Sequence, residues 1–159
     1  MVKRFGRWTV IAGATVFVAM QLWPYGRNHT NPSVRMEPRW DSAETRELAV
    51  RACFDCHSNE TIWPWYSNIA PLSWLIQSDV DQARKKLNYS EWDRLQEDAR
   101  ESAETVRKGT MPQWDYAIVH PRAKLSPEER QALIRGLEAT FGSGGQEKRE
   151  KHEKRREGG

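Results

Sequence analysis

Hydrophobic positions along the chain follow three different patterns. Residues 8–23 form one apolar run with no charged side chain, whereas residues 24–38 show no periodicity and contain three prolines. Between about 39 and 142, apolar residues recur every three or four positions, the spacing that places them on one face of an α-helix. Because no stretch alternates with a period of two over a useful length, the pattern predicts an all-α domain without a real sheet.

Four helices are predicted within residues 39–142. Residues 41–44 resemble a capping box that opens a first helix leading into the two cysteines. The second helix covers 72–87, and the third begins at Ser90 and stops at Gly109. The fourth has the clearest start, because Ser126 is followed by a proline at the first helical position and then by two glutamates. It is expected to continue to Phe141.

The apolar run near the start of the chain predicts a membrane anchor. It follows three basic residues within the first seven and carries a tryptophan at each end, Trp8 and Trp23. A cleaved secretory signal is the alternative, but no pair of small residues with the spacing of a cleavage site follows the apolar stretch. We therefore expect residues 1–23 to be a retained signal anchor that forms a single transmembrane helix, with the rest of the chain exported.

The segments that flank the helical domain are polar. Residues 24–38 are predicted to be a linker, and residues 143–159 a charged, disordered tail. The first seven residues contribute three positive charges and residues 146–159 a net of two, which leaves the chain between them slightly negative although the pI is about 9.0. This distribution gives no support for a nucleic-acid-binding face on the domain.

The chemistry is concentrated in Cys53-Phe-Asp-Cys56-His57, which holds both cysteines of the chain. Two thiols three positions apart at a helix end can reach both vinyl groups of one haem, and the adjacent histidine then faces the iron. A structural zinc site would require two further ligands, and a thioredoxin-like pair would require strands that alternate with helices. We therefore predict one covalent haem c, attached at Cys53 and Cys56, with His57 as the proximal iron ligand.

The second iron ligand is predicted on the loop before the last helix. Met111 precedes Pro112 at a place without helical periodicity, which favours a thioether ligand over an ordinary core methionine. His120 is the rival ligand, and its alternative role is that of a surface histidine or of a contact to a haem propionate.

Aromatic and basic side chains near the motif have less specific roles. Trp63 and Trp65 are expected in the apolar wall that a haem requires. Arg84, Lys85 and Lys86 are expected to face solvent, although one of them could pair with a propionate.

The order of these motifs resembles the class I cytochromes c, in which a Cys-x-x-Cys-His precedes a Met-Pro loop and a terminal helix. A closer resemblance, over about residues 45–140, is to the bacterial haem-binding domain family. The segments that carry it are Cys56 to Trp74, Leu87 to Trp92, Met111-Pro112, His120-Pro121 and Leu125-Ser126. The resemblance implies an exported, mostly helical c-type haem domain with a class I cytochrome c-like fold.

The expected function follows from the number of iron ligands. If His57 and Met111 both hold the iron, no position is open for a substrate, and the group can only exchange an electron with a docked partner. We therefore expect an electron carrier, not an enzyme, anchored in the bacterial inner membrane with its haem domain in the periplasm and a redox protein as its partner. The main alternative is a haem-based ligand sensor or small peroxidase-like enzyme with an open sixth position. A weaker alternative is a structural subunit that uses haem to stabilise its fold.

Overall fold

The computed structural model describes residues 2–142, and the predicted tail at 143–159 lies outside them. The α-helices in this part of the chain are α1 (Val2–Met20), α2 (Ala43–Ala52), α3 (Phe54–His57), α4 (Leu72–Lys86), α5 (Ser102–Lys108), α6 (Trp114–Val119) and α7 (Pro127–Phe141). Short 3-10 helices lie between them at Trp65–Asn68, Ala99–Glu101 and Pro121–Ala123. Within the described residues no strand forms beyond one isolated bridge between Met36 and Glu91. The prediction of an all-α fold is confirmed.

Helices α2 and α7 begin at side-chain caps and pack against each other. Ser42 caps α2 by accepting a hydrogen bond from the Thr45 amide, one residue later than the predicted cap. At the start of α7, Ser126 and Glu129 form the predicted capping box. The amide of Glu129 donates to the Ser126 hydroxyl at 3.1 Å, and the amide of Ser126 donates to the Glu129 carboxylate at 2.8 Å. Where the helices cross, a Cβ atom on Gly136 would lie 1.9 Å from Thr45 Oγ1. The side chain of Thr45 on α2 therefore packs directly against the backbone of α7 at Gly136.

An aromatic cluster fills the core beside α2, α3 and α7. Its five rings have neighbouring centroids 4.9 to 6.3 Å apart and belong to Trp40, Phe54, Tyr89, Trp92 and Phe141. Tyr89 is at the centre, since it is 1% exposed and contacts the other four rings. Because Phe54 belongs to α3, this core directly supports the turn that carries the two cysteines.

The predicted third helix is wrong over its first half. Residues 89–98 form turns, and helical structure begins only at Ala99–Glu101 and continues in α5. The amide of Ser90 is bound by the side chain of Asn88 at 2.9 Å, a local bond that competes with helix formation. Leu95, whose three-or-four spacing from Trp92 and Ala99 predicts a place on the inner face of such a helix, is 79% exposed. The helix does end at Gly109, which has a φ of 73°.

Helix α1 coincides with most of the predicted anchor. Residues 6–19 are all exposed, and in the described part of the chain α1 packs against no other helix. None of the helices within residues 2–142 is sufficiently long and apolar to cross a membrane. A spanning helix at residues 1–23 is therefore not shown and stays a prediction.

The segment at 24–38, predicted to be a linker, lies against the domain. The amide of Met36 donates to the carbonyl of Ser90 at 3.2 Å, and the side chain of Asn31 donates to the carbonyl of Thr61 at 2.9 Å. A segment without helical hydrogen bonds has to satisfy its polar groups elsewhere, and here the domain supplies partners. The segment is thus bound to the domain surface rather than free.

Candidate haem site

The two cysteines and His57 are brought together by a sharp turn between α2 and α3. Cys53 has φ −129° and ψ −36°, outside regular helical geometry. Its carbonyl accepts hydrogen bonds from the amides of Cys56 and His57 at 3.2 and 2.8 Å. Both cysteines are free thiols, and they line one cavity together with His57. One turn of the chain therefore supplies two sulfurs and an imidazole to the same wall.

Burial governs the chemistry of both thiols. It raises the pKa of Cys53 and of Cys56 to about 12, and for Cys56 the neighbouring carboxylate of Asp55 adds to the effect. At neutral pH both groups are therefore uncharged thiols, whereas a metal ion bound directly by cysteine requires thiolates. Uncharged thiols are compatible with thioether bonds to a haem, in which sulfur also carries no charge.

A backbone carbonyl orients His57. The Nδ1 atom of its ring lies 3.0 Å from the carbonyl oxygen of Leu87. Since a carbonyl can only accept, Nδ1 carries the proton and Nε2 keeps its lone pair, as in histidines that bind metals. Burial lowers the pKa of His57, although backbone contacts at Leu87 and Ala83 oppose this in part. The ring is therefore neutral, with one nitrogen free to bind iron.

A network of three buried amide side chains fixes the carbonyl of Leu87. Its members are Asn59, Asn88 and Gln96. The backbone N–H of Asn88 donates to Gln96 Oε1 at 2.9 Å, and its side chain donates to Asn59 Oδ1 at 2.8 Å. The N–H of Asn88 and the carbonyl of Leu87 belong to the same peptide group, so Gln96 holds the group that His57 contacts. No periodicity or spacing in the sequence relates the three amide residues, so nothing in the sequence predicts this network.

Two adjoining cavities of about 140 and 260 Å³ lie in front of His57. The residues common to both walls are Ala52, Cys53, His57, Lys86 and Met111. The larger cavity extends to the aromatic core at Tyr89, and the smaller one extends to Tyr116 on α6. A concave space lined mainly by apolar groups, with a few convergent polar ones, is typical of a cofactor pocket.

Met111 reaches these cavities from the loop that follows α5. The left-handed conformation of Gly109 ends the helix, and the amide of Met111 then donates to the carbonyl of Thr105 at 3.3 Å. From α7, the guanidinium of Arg130 donates to the carbonyl of Val106 at 2.7 Å, which supports the same helix end. The structure thus places Met111 and His57 on the walls of the same cavities, while the ligand role of Met111 stays a prediction.

His120, the rival ligand, has both ring nitrogens occupied. Nε2 lies 3.1 Å from the hydroxyl of Tyr66, and Nδ1 lies 3.1 Å from the carbonyl of Tyr116, on whose ring His120 stacks at 4.1 Å. It lines a third cavity of about 60 Å³ and not the two that His57 lines. His120 would have to give up its bond to Tyr66 to bind iron, so the geometry favours Met111.

The two tryptophans expected in the haem wall do not line these cavities. Trp63 stacks on His29 at 4.7 Å and donates to the side chain of Asn31, on the segment predicted as a linker. Trp65 is 76% exposed. The apolar residues on the wall of the larger cavity include Leu137 and Val106. Neither ring lies on the walls of these two cavities, so a role for Trp63 and Trp65 in a haem wall stays a prediction.

The three basic residues of α4 also differ from the expectation. Arg84 does not simply face solvent, because its guanidinium donates to the carbonyls of Ser58 and Thr30 at 2.8 and 2.9 Å. It thereby joins α4 to the chain just after the cysteine motif. Lys85 is exposed as expected, and Lys86 is exposed yet lines both cavities. Of the three, Lys86 is the one placed to meet a negatively charged group in the site.

Tyr116 connects α6 to the turn between the cysteines. Its hydroxyl donates to Asp55 Oδ2 at 2.5 Å, and burial together with this bond raises the pKa of the tyrosine. The other oxygen of Asp55 accepts the amide of Ile62 at 3.0 Å. No residue of α6 is itself buried. The hydrogen bond to Asp55 is therefore an important tie between α6 and the rest of the site.

Comparison with known proteins gives one match. A family model described as a haem-binding domain matches residues 15–139. No curated protein and no solved structure matches the chain. The matched residues include the cysteine motif, the amide network, Met111 and most of α7.

Proposed function

Because the chain belongs to the haem-binding domain family, we propose that it is a mono-haem c-type cytochrome with a class I cytochrome c-like fold. It is attached to the bacterial inner membrane through α1, holds its haem domain in the periplasm and exchanges single electrons with a docked redox protein. The observation that carries this proposal is the meeting of Cys53, His57 and Met111 on the walls of the same two cavities.

The side chains present fit a covalently bound haem. Cys53 and Cys56 would hold the group through thioether bonds to its two vinyl substituents. His57 offers Nε2 to the iron because its other nitrogen is held by Leu87. When bound, haem supplies an iron that gains or loses one electron. Lys86 offers a positive charge to a propionate from the wall of both cavities.

The ligand pair determines what the site can do. With His57 and Met111 both on the iron, no position is open to a substrate, so the site suits electron transfer rather than catalysis. A thioether ligand disfavours the ferric state and raises the reduction potential relative to two histidines. Val106 of α5 and Leu137 of α7 contribute apolar surface to the wall of the larger cavity.

A ligand sensor or peroxidase-like enzyme is the second candidate. The observation that favours it is the shallow attachment of α6, which has no buried residue although its Tyr116 lines the smaller cavity. If this side opens readily and Met111 leaves the iron, a sixth position becomes available. The ligand test below separates this candidate from the carrier.

Covalent attachment is tested by extraction. Acidified organic solvent should leave haem on the wild-type chain and remove whatever haem a Cys53→Ala/Cys56→Ala variant retains. Equal extraction from both proteins would show that the haem is not covalently bound.

The sixth ligand is tested by visible spectroscopy of the full-length holoprotein. Ferric wild type should show the weak long-wavelength charge-transfer band of sulfur ligation. Met111→Ala should lose the band, and its ferrous form should bind carbon monoxide readily because the position opposite His57 is vacant. His120→Ala is the control and should keep the wild-type behaviour. If His120→Ala opens the iron instead, the pair is bis-histidine; if wild type itself binds carbon monoxide at once, the sensor or peroxidase is the better account.

A further inference from the structure

From Trp8 onward, helix α1 and the residues just after it form a long uncharged stretch, and its helical part has no packing partner among the described helices. Residues 8–26 contain no charged side chain. Within the described part of the chain, α1 contacts no other helix, and residues 6–19 are all exposed. Such a surface is normally covered by lipid or by another protein.

The junction between α1 and the domain, defined as residues 21–26, is tightly bound. The side chain of Gln21 forms two reciprocal hydrogen bonds with the backbone of Ala70, at 2.9 Å to the carbonyl and 3.0 Å from the amide. Gly26 has a φ of 80° and lies so close to Ser73 that a Cβ atom would be 2.1 Å from its carbonyl oxygen. The direction in which α1 leaves the domain is therefore set by specific contacts and not by a flexible linker.

Exposed apolar side chains surround the junction. Leu22 is 82% exposed, Trp23 66% and Tyr25 44%, and Leu72, two residues after Ala70, is 45% exposed. Tryptophan and tyrosine favour the boundary between lipid tails and headgroups, where their apolar rings and polar atoms are both accommodated.

The charges at the two ends of the uncharged stretch favour one class of partner. The first 36 residues contain five basic side chains and no acidic one, and Arg7 and Arg27 flank the uncharged stretch. Phosphate groups of anionic lipids match this charge pattern, whereas a second copy of the chain would bring like charges together.

We propose that the junction holds the haem domain on an anionic phospholipid bilayer in one fixed orientation, with Leu22, Trp23 and Leu72 in the interfacial layer. The proposal rests on the membrane attachment proposed above and adds a defined contact between the domain and the lipid. The mouth of the haem site is then held at a constant height and angle above the bilayer.

The contact is tested with a spin label on the full-length holoprotein in nanodiscs of phosphatidylethanolamine and phosphatidylglycerol. Leu72→Cys carries the label, and Leu95→Cys is the matched control, since this leucine is 79% exposed and takes no part in the junction. We expect the label at 72 to be several-fold more accessible to oxygen, which partitions into lipid, than to a water-soluble nickel chelate. The label at 95 should show the reverse preference.

The orientation is tested by adding Gln21→Ala to the labelled Leu72→Cys protein, which removes both bonds to Ala70. The protein should remain in the nanodiscs while the label at 72 loses its preference for oxygen; Gln131→Ala, at an exposed glutamine of α7, should change neither property. An unchanged preference in the Gln21→Ala protein would overturn the fixed orientation.

Three further outcomes would each overturn a stated part of the proposal. Equal accessibility at positions 72 and 95 in bound protein would overturn the lipid contact but not the membrane attachment. Recovery of the protein outside the nanodiscs would overturn the attachment itself. Two copies per nanodisc, with the label at 72 shielded from both probes, would overturn the lipid contact by identifying a second chain as the occupant.

Discussion

One side of the candidate haem site carries Cys53, Cys56 and His57 together with the amide network, and it is here called the attachment side. Its buried polar groups form hydrogen bonds with one another. Asn59 and Asn88 are 3% and 1% exposed, and each has a partner in the network. The opposite side, residues 109–120, here called the loop side, contains a helix without a single buried residue. Its ties are hydrogen bonds of half-buried side chains, such as the one between Tyr116 and Asp55.

This difference implies different local stabilities. Opening the attachment side would expose or orphan several buried donors and acceptors at once, so we expect it to open only when the whole domain unfolds. The loop side can separate after the loss of a few contacts near the surface. The proximal histidine is therefore oriented by the fold itself, whereas the position of Met111 depends on a helix end and a loop.

The largest effect is expected from Asn88→Ala, which removes the centre of the amide network. The variant leaves Asn59 Oδ1 and the amide of Ser90 without their partners in a buried region. We expect the free energy of unfolding to fall by about 3 kcal/mol, because each orphaned buried group is costly. Denaturant unfolding of the holoprotein measures this change.

Asn68→Ala is the matched control for that variant. Asn68 is exposed and donates only to the nearby carbonyl of Trp65. Its loss should change the free energy of unfolding by no more than about 0.5 kcal/mol. Similar effects of the two variants would contradict the large contribution of the buried amide network to stability.

A smaller effect is expected from Tyr116→Phe, which breaks the tie between α6 and Asp55. The free energy of unfolding should fall by about 1 kcal/mol, since the lost bond has a charged acceptor but is only partly shielded from water. Hydrogen exchange of the α6 amides should accelerate, while exchange at residues 87–90 stays as in wild type. Faster exchange on both sides would show that the loop side does not open independently.

The smallest effect concerns a surface ion pair next to the attachment side. Arg46 donates two hydrogen bonds to Glu37, at 2.8 and 2.7 Å, and these lower the pKa of the carboxyl group. A folded-state pKa below the unfolded value stabilises the protein at neutral pH, and this contribution disappears as the pH falls through the lowered pKa. Glu37→Gln should therefore cost about 0.5 kcal/mol at pH 7 and nothing in strong acid. Unfolding curves across this range measure the difference, and a constant cost would contradict the assignment.

Local patterns accounted for a large part of this molecule. The three-or-four spacing located α4 within one residue of its observed end, and the capping residues placed the start of α7. The cysteine motif brought its own three side chains together, because their geometry depends only on one turn of chain. Each of these features depends on residues that are close together in sequence, where backbone geometry and helix propensity dominate.

Features that depend on distant partners were not predictable in this way. Asn59 and Asn88 are 29 residues apart, and nothing in either segment indicates that their side chains meet. The first half of the predicted third helix forms turns instead, and there the amide of Asn59 donates to the hydroxyl of Ser90, 31 residues away. Trp63 stacks on His29 and donates a hydrogen bond to Asn31, and both partners lie on a segment without periodicity.

The crossing of α2 and α7 has a consequence for how this sequence can vary. A methyl group at position 136 would overlap the side chain of Thr45, so Gly136→Ala on its own should not be accommodated without a shift of one helix. A smaller residue at position 45 would make the room that the methyl group needs. The two positions are therefore expected to change together, and a designer who wishes to strengthen α7 by removing its glycine has to redesign α2 in the same step.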